Sequence, residues 1–350
     1  MHMSDALLSP AVGGAMWIAA GTTMAFGAKK AGQDTDSRKV PLMGVLAAFI
    51  FAGQMINFTI PGTGSSGHLG GGLILAVLLG PSSAFLAMAS ILTVQALFFA
   101  DGGLLALGCN IFNLGFFPAF VAYPLVFKPL AGKYPTPSRL PASSVAAAVV
   151  GLQLGALAVV LQTVASGITE LPFRTFASFM LPIHFAIAII EGLITAAVVT
   201  FVWRARPEVL RYASEGKPMG KVPLGRIMAV LAAGAVIAGG GLSWFASSLP
   251  DGLEWSMAKT AGIEDPGRRG GGVHTALQGL QDRTAALPEY GFRGGEAGEG
   301  GLDGESRPNP ASGRSLSGIV GGFLSLLLAF AVGYAFRRRP ARGKGTVPAS

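Results

Sequence analysis

The stretch MGVLAAFIFAGQMINFTIPGTGSSGHLGGG (Met43–Gly72) decides the fold class, because a long apolar run meets a glycine-rich loop within it. The loop contains G-x-G-x-x-G at Gly62, Gly64 and Gly67, which is the pattern of a dinucleotide-binding turn. Such a turn requires a strand before the glycines and an acidic residue about twenty positions after them. Here the preceding run is long enough for a membrane helix, and no acidic residue follows at that distance. The dinucleotide interpretation therefore fails.

The composition of the whole chain predicts an all-α polytopic membrane protein. Of its 350 residues 51% are hydrophobic and 13% are charged, about half the charged share of an ordinary soluble protein. A net charge of +8 would suggest nucleic acid in a soluble chain, but here the basic residues punctuate apolar segments and indicate topology instead. The single Cys109 excludes an internal disulfide framework and a cysteine-based zinc site.

Apolar segments of spanning length predict the topology. They lie at about 11–28, 40–58, 82–99, 105–127, 142–166, 178–203, 224–247 and 315–336. A shorter piece at 67–80 is either a full short span or one arm of a re-entrant element, and counting it gives nine crossings. With the N-terminus outside and the C-terminus inside, 18 of the 26 Lys and Arg residues fall on the inner side, as the positive-inside rule requires.

This topology divides the chain into two modules. Residues 1–205 form a seven-span module, 206–222 a charged cytoplasmic linker, and 223–350 a two-span module with an outer loop at 248–314. The outer loop is rich in glycine and poor in large apolar residues, so we expect most of it to be flexible.

Two outer segments offer nitrogen donors for a metal. A glycine-rich break in a membrane helix is a common ligand site in transporters, and His68 lies in such a break, although a surface loop with an incidental histidine is an equal alternative. Met1 and His2 favour the ligand site over the surface loop. The Met1 amine together with the amide and imidazole of His2 can close two chelate rings around Ni(II) or Cu(II). His68, on the same predicted side, would supply a fourth nitrogen.

Four motifs carry a family resemblance over about residues 1–205: MHMSDALLSP, GTGSSGHLGGGLILAVLLGP, QALFFADGGLLALGCNIFNLG and PIHFAIAIIEGLITAAVV. They resemble the substrate-capture (M) subunits of energy-coupling-factor (ECF) nickel and cobalt transporters, the CbiM/NikM family. LPDGLEWS (249–256) and LPEYGF (287–292) resemble the accessory PDGLE-type (N) component, so the chain looks like an M–N fusion. Family N-termini commonly read Met-His-Ile-Pro-Asp-Gly, from which Met3, Ser4 and Ala6 depart.

The resemblance implies a metal site and a set of partners. Members bind the divalent ion through residues matching Met1, His2 and His68, the nitrogens that the chemistry also selects. They work with a transmembrane coupling (T) subunit and two ATP-binding-cassette ATPases in the cytoplasmic membrane. No nucleic-acid partner and no organic cofactor are expected. The PDGLE-type module favours nickel over cobalt by resemblance only.

Several further residues are candidates for supporting roles. Asp101, Asn110 and Asn113 lie in a family-like stretch and would either hydrogen-bond the ligating histidines or cap helix ends. His184 and Glu191 share one span and nearly one helix face. For His184 we expect an interhelical hydrogen bond, and for Glu191 a structural or coupling role. His274 lies in the outer loop and is expected to be solvated.

The sequence thus predicts a transporter subunit that is not an enzyme. It lacks the G-x-x-x-x-G-K-[ST] phosphate loop, so ATP hydrolysis would fall to separate partners. An ion-driven secondary transporter of transition metals is the alternative, although it would need intramembrane carboxylate relays and only Glu191 lies clearly mid-span. A membrane metalloenzyme would need an activating base beside the metal, and His2 and His68 have no such neighbour.

Overall fold

The structure, a computed structural model, describes residues 2–34, 38–220, 222–262, 271–293 and 310–336, and these are predominantly helical. The helices are α1 (Pro10–Asp34), α2 (Lys39–Gln54), α3 (Gly72–Leu79), α4 (Pro81–Phe99), α5 (Leu107–Ala131), α6 (Arg139–Ser166), α7 (Phe173–Ala205), α8 (Pro207–Glu215), α9 (Gly225–Gly240), α10 (Gly252–Ala261), α11 (Gly272–Thr284) and α12 (Pro310–Ala335). One antiparallel hairpin pairs β1 (Phe58–Ile60) with β2 (Ser65–Gly67).

Apolar helices of membrane length dominate this architecture. In the described ranges six of them, α1, α4, α5, α6, α7 and α12, are long and apolar enough to cross a bilayer, and α2 and α9 are shorter apolar helices. α5 is wide and π-helical over Phe112–Phe127, a stretch that contains Pro118 and Pro124. Proline removes a hydrogen-bond donor from the helix ladder, which accounts for a departure from α geometry there.

The piece predicted at 67–80 is an extended loop followed by a short helix. α3 has only eight residues and is therefore about 12 Å long, less than half of a hydrocarbon core of about 30 Å. The backbone of Gly71, the residue before α3, is in the left-handed region, with φ 78°. Gly80 after it packs so closely on α8 that a Cβ there would lie 3.1 Å from the carbonyl oxygen of Ala213. A continuous helical span is thus excluded for this piece.

The C-terminal helices α9 and α12 pack directly against the first part of the chain. α9 and α12 both lie along α2, and they approach each other at a glycine pair, where a Cβ on Gly239 would lie 3.0 Å from the carbonyl carbon of Gly318. Close backbone approach at small residues is the ordinary way in which membrane helices gain packing energy.

The expectation of a largely flexible outer loop is wrong for its described part. Residues 252–261 and 272–284 form α10 and α11, and Pro288–Tyr290 forms a helical turn. α10 begins with a complete capping box, in which Asp251 accepts from the backbone of Leu253 and Glu254 while Glu254 accepts from Asp251. Residues 263–270 and 294–309 lie outside the described part. The linker predicted at 206–222 contains α8.

Candidate metal centre

The start of the chain is pinned as a strap, residues 2–9, across the loop that follows α4. The backbone N–H of Met3 donates to Oδ1 of Asn110 (2.8 Å), and Nδ2 of Asn110 donates to the carbonyl of Met3 (3.2 Å). Gly103 N–H donates to the same carbonyl at 2.9 Å. Farther along the strap, Asp5 accepts from the N–H of Ala106 at 2.9 Å. These bonds fix the direction in which the neighbouring His2 enters the protein.

His2 and His68, which are predicted on the same side, lie together. Their imidazole rings stack with centroids 5.1 Å apart and planes 4° from parallel. The two side chains are only 8% and 10% exposed. Burial lowers the pKa of His2 to about 3 and that of His68 to about 4. Both imidazoles are therefore neutral at physiological pH, which is the form that ligates metals.

Asp101 lies beside His2, which is the first of the two roles considered for it. Its Oδ1 lies 3.2 Å from Nδ1 of His2, and its other oxygen accepts a hydrogen bond from the hydroxyl of Tyr290. Nδ1 is also the imidazole nitrogen that can close a chelate ring with the backbone amide of His2. The carboxylate therefore fixes the orientation of the ring, and it lies beside the chelating nitrogen itself.

The His68 loop is held from below by Glu191. The carboxylate accepts from the N–H groups of Gly70 (3.0 Å) and Gly71 (3.1 Å), and Nε2 of Gln54 donates to the carbonyl of Gly70 at 2.9 Å. Gly70 has no room for a side chain, since a Cβ would lie 2.8 Å from Oε2 of Glu191. Glu191 therefore positions backbone, which agrees with the structural role expected of it.

The remaining predicted residues have other partners. Met1 lies outside the described residues. Asn110 grips the backbone of Met3, as described, and Asn113 exchanges two side-chain hydrogen bonds with Gln162 at 2.8 and 2.9 Å. These amide bonds are therefore of neither kind that was considered for them, a bond to a ligating histidine or a helix cap. For His184, the Nδ1 nitrogen pairs with the carbonyl of Met180 in its own helix at 2.8 Å.

Asp251, which sequence reasoning did not place in the site, lies near His68 although it belongs to the segment that follows α9. Its Oδ2 lies 3.9 Å from Nε2 of His68. The preceding backbone is bound to the loop: Ser66 donates its N–H to the carbonyl of Pro250 (2.8 Å) and its hydroxyl to the carbonyl of Leu249 (2.8 Å). In the sequence, LPDGLEWS indicated only a family resemblance. The Asp-x-x-Glu pattern within it is typical of a helix N-terminus, and it was the signal that could place Asp251 at the start of α10.

Helix α11 of the outer loop contacts the strap and the loop that follows α4. Nε2 of Gln281 in α11 donates to the carbonyl of Gly102 at 2.8 Å, and Nε2 of His274 lies 2.9 Å from the carbonyl of Leu8. His274 is partly buried, so the expectation that it is solvated is wrong. The outer loop thus contacts the strap, the His2–Asp101 pair and the His68 loop.

Comparison with known families identifies the family to which this chain belongs. The family described as the cobalt uptake substrate-specific transmembrane region matches residues 2–209. The chain belongs to the CbiM family. A PDGLE domain matches residues 225–338, which makes the chain a fused M–N member of the nickel and cobalt branch.

Relatives of both architectures are similar to this CbiM-family chain. A putative fused nickel transport protein NikMN of Archaeoglobus fulgidus is 31% identical over 338 residues, covering 95% of this chain and 98% of that protein. A putative metal transport protein of Haloquadratum walsbyi is 37% identical over 210 residues, 60% of this chain and 93% of that protein. A crystal structure of a truncated transition metal transporter matches with TM-score 0.52 and 29% identity, covering 59% of this chain and 99% of the other.

Family membership confirms the predicted all-α membrane fold and a nickel or cobalt transport component. Among the described residues, however, no three His, Cys, Asp or Glu side chains are arranged to hold a metal by themselves.

Proposed function

We propose that this chain captures Ni(II) or Co(II) for an ATP-driven importer and holds the ion through four nitrogens. These are the Met1 amine, the amide and Nδ1 of His2, and the imidazole of His68. The observation that carries the proposal is the contact between His2 and His68 at a strap pinned by Asn110. Two nitrogens from backbone and two from imidazoles form the donor set that Ni(II) favours in square-planar geometry.

The surroundings of His2 suit a dication. A metal on Nδ1 would take the position of the proton shared with Asp101 and leave that carboxylate beside it as a compensating charge. Asp251 supplies a second negative group next to His68. Deprotonation of the His2 amide would reduce the net charge of the occupied centre further, so little charge would remain unbalanced in a buried site.

Capture would be the first step of import across the cytoplasmic membrane. The ion binds from the outside, is occluded beneath the strap, and is released inward when a transmembrane coupling subunit and two ATPases reorient the chain. The outer loop packed over the strap supports occlusion. Because the fused relative from Archaeoglobus fulgidus is named as a nickel transport protein, nickel is the favoured substrate.

Dependence on ATPases separates this function from ion-driven secondary transport. Glu191, the carboxylate in the middle of α7, is engaged by two backbone N–H groups, an arrangement that suits positioning more than proton relay. We expect metal uptake to stop in cells that lack the coupling subunit and the ATPases. Uptake that continued at the same saturating rate, driven by an ion gradient, would establish the secondary transporter instead.

One extra residue before Met1 tests the donor set. The extension moves the amine away from His2 and leaves every side chain in place, so we expect the affinity for Ni(II), measured by calorimetry on the purified chain, to fall at least 100-fold. The same residue appended after Ser350 is the matched control and should bind as the native chain does. If the N-terminally extended chain binds Ni(II) normally, the four-nitrogen site is wrong.

A further inference from the structure

A large cavity lies at the end of the helices opposite to the capture site. Its volume is about 730 Å³, within the range of about 300–1,000 Å³ that ligand cavities occupy. Asn110, near the start of α5, contacts the strap, whereas Phe127 and Ala131 at the end of the same helix line the cavity. Trp203 at the end of α7 and Leu210 of α8 line it as well. The predicted topology places this end of the helices on the inner side of the membrane.

One side of α8 carries the charged groups of the cavity wall. Glu208, Arg211 and Glu215 are spaced i, i+3 and i+7, so they lie on one side of the helix, and all three line the cavity. On the apolar side of α8, Val209 and Ala213 are buried in the protein. The apolar side thus fixes the helix, and the charged side borders the cavity.

Two cations from different segments meet at this cavity. Lys133, in the loop after α5, and Arg211, in α8, both line it. The hydrogen bond from Lys217 lowers the pKa of Glu215, and the charges of Arg211 and Lys133 lower it further, so both cations act on the same carboxylate. Glu215 is paired with Lys217 at 2.7 Å, however, and in the described part of the chain neither Lys133 nor Arg211 forms an ion pair with a carboxylate. The two cations are therefore available to an external anion.

Glu208 is the complementary group in the same wall. Its Oε2 is buried and has no hydrogen-bond partner among the described residues. Glu208 lies one helical turn from Arg211, a spacing at which Cβ atoms are about 5–6 Å apart. An acceptor without a donor and a cation without a carboxylate thus lie side by side. A ligand that carries an ammonium and a phosphate a few bonds apart satisfies both.

We propose that this cavity binds the headgroup of an inner-leaflet aminophospholipid of the phosphatidylethanolamine type, with its phosphate at Lys133 and Arg211 and its ammonium at Glu208. The glycerol and acyl chains lie along the apolar lining, which includes Phe127 and Trp203. Tryptophan is enriched at the level of lipid headgroups, and basic pockets between spanning helices on the cytoplasmic side bind phosphate-bearing headgroups. This lipid site does not depend on the proposed metal function.

Native mass spectrometry of the delipidated full chain tests the site with three lipids: phosphatidylethanolamine, phosphatidylglycerol and phosphatidylcholine. We expect one phosphatidylethanolamine per chain, bound at least tenfold more tightly than phosphatidylcholine, whose quaternary ammonium cannot donate a hydrogen bond to Glu208. Glu208→Gln should lower the affinity for phosphatidylethanolamine at least fivefold and leave that for phosphatidylglycerol unchanged. Arg211→Gln combined with Lys133→Gln should lower both affinities at least tenfold. Arg226→Gln and Glu170→Gln, at exposed residues outside the cavity lining, are the matched controls and should bind both lipids as the native chain does.

Three results would overturn the lipid site. The first is unchanged binding of phosphatidylethanolamine by both cavity variants. The second is displacement of the lipid by an equal concentration of soluble glycerophosphoethanolamine, which would assign the cavity to a soluble phosphate compound. The third is loss of co-purification with the coupling subunit while lipid binding persists, which would identify a contact between subunits. All variants should bind Ni(II) normally, which shows that they fold, so failure of the lipid site is distinct from failure of the capture site.

Discussion

Tyr290 donates a hydrogen bond to Asp101, which lies 189 positions earlier in the chain and contacts His2. Burial raises the pKa of Tyr290 well above its ordinary value, so the hydroxyl keeps its proton and remains a donor. The accessory module is therefore linked to His2 through one intermediate side chain.

Tyr290→Phe should lower the affinity for Ni(II) about tenfold, the low end of the range for partners of metal-ligating residues. The reason is that Asp101 loses the donor that fixes its orientation beside His2. Calorimetry on the purified chain measures the effect. Tyr134→Phe is the control, because Tyr134 is 78% exposed. An unchanged affinity in Tyr290→Phe would show that Asp101 needs no support from the accessory module.

Glu191→Gln should loosen the His68 loop. The amide offers one acceptor oxygen where the carboxylate offers two, so one of the N–H groups of Gly70 and Gly71 loses its partner at a cost of about 1–3 kcal/mol. We expect the affinity for Ni(II) to fall about tenfold and thermal unfolding to occur at a lower temperature.

Thr195→Val is the matched control for that substitution. Thr195 lies one turn farther along the same helix, and among the described residues its buried hydroxyl has no hydrogen-bond partner. Its replacement should therefore change neither affinity nor unfolding temperature appreciably. If Glu191→Gln behaved like Thr195→Val, the carboxylate would not be what holds the loop.

Asn110→Ala should free the strap at Met3, where the amide makes one donated and one accepted hydrogen bond. The His2 nitrogens would then be held less firmly, and we expect at least a tenfold loss of Ni(II) affinity. Ser144→Ala, which removes a buried hydroxyl without a partner in the described chain, serves as control. Faster digestion of the strap by an aminopeptidase in Asn110→Ala alone would report the release directly. Equal digestion in both variants would contradict it.

Proton release on metal binding reports the charge of the imidazoles. Because burial lowers the pKa of His2 to about 3 and of His68 to about 4, both are already neutral at pH 6. The amine, with an ordinary pKa of about 7.7–8.0, and the amide each lose one proton, so about two protons should be released per Ni(II). Calorimetry in buffers of different ionisation enthalpy counts them.

The same numbers fix the pH dependence. Affinity should rise about 100-fold per pH unit between pH 5 and 7, through the amine and the amide, and steepen only in more acid solution, where the imidazoles begin to gain protons. Uptake should accordingly weaken in acid. Release of three or more protons at pH 6 would mean that the histidines are charged before the metal arrives.

The sequence predicted the fold class from the lengths of its apolar segments. It predicted that His2 and His68 lie on the same side of the membrane from the distribution of basic residues, and both signals depend on local composition. It did not predict that Asp251 and Tyr290 reach the same centre, because those contacts depend on how a distant loop docks. Glycine content suggested that this loop is flexible, but the capping box at Asp251 and packing against the first module stabilise α10 and α11 there. Asn110 lay in the right stretch, yet its partner is backbone rather than imidazole.

The packing of α9 and α12 along α2 has a consequence for the linker at 206–222. The two modules share a large helical interface that does not pass through the linker, including the position where a Cβ on Gly321 would collide with the ring of Phe51. The linker therefore acts by raising the effective concentration of one module near the other. Two polypeptides cut between α8 and α9 would assemble into the same centre once their concentrations exceeded the dissociation constant of that interface.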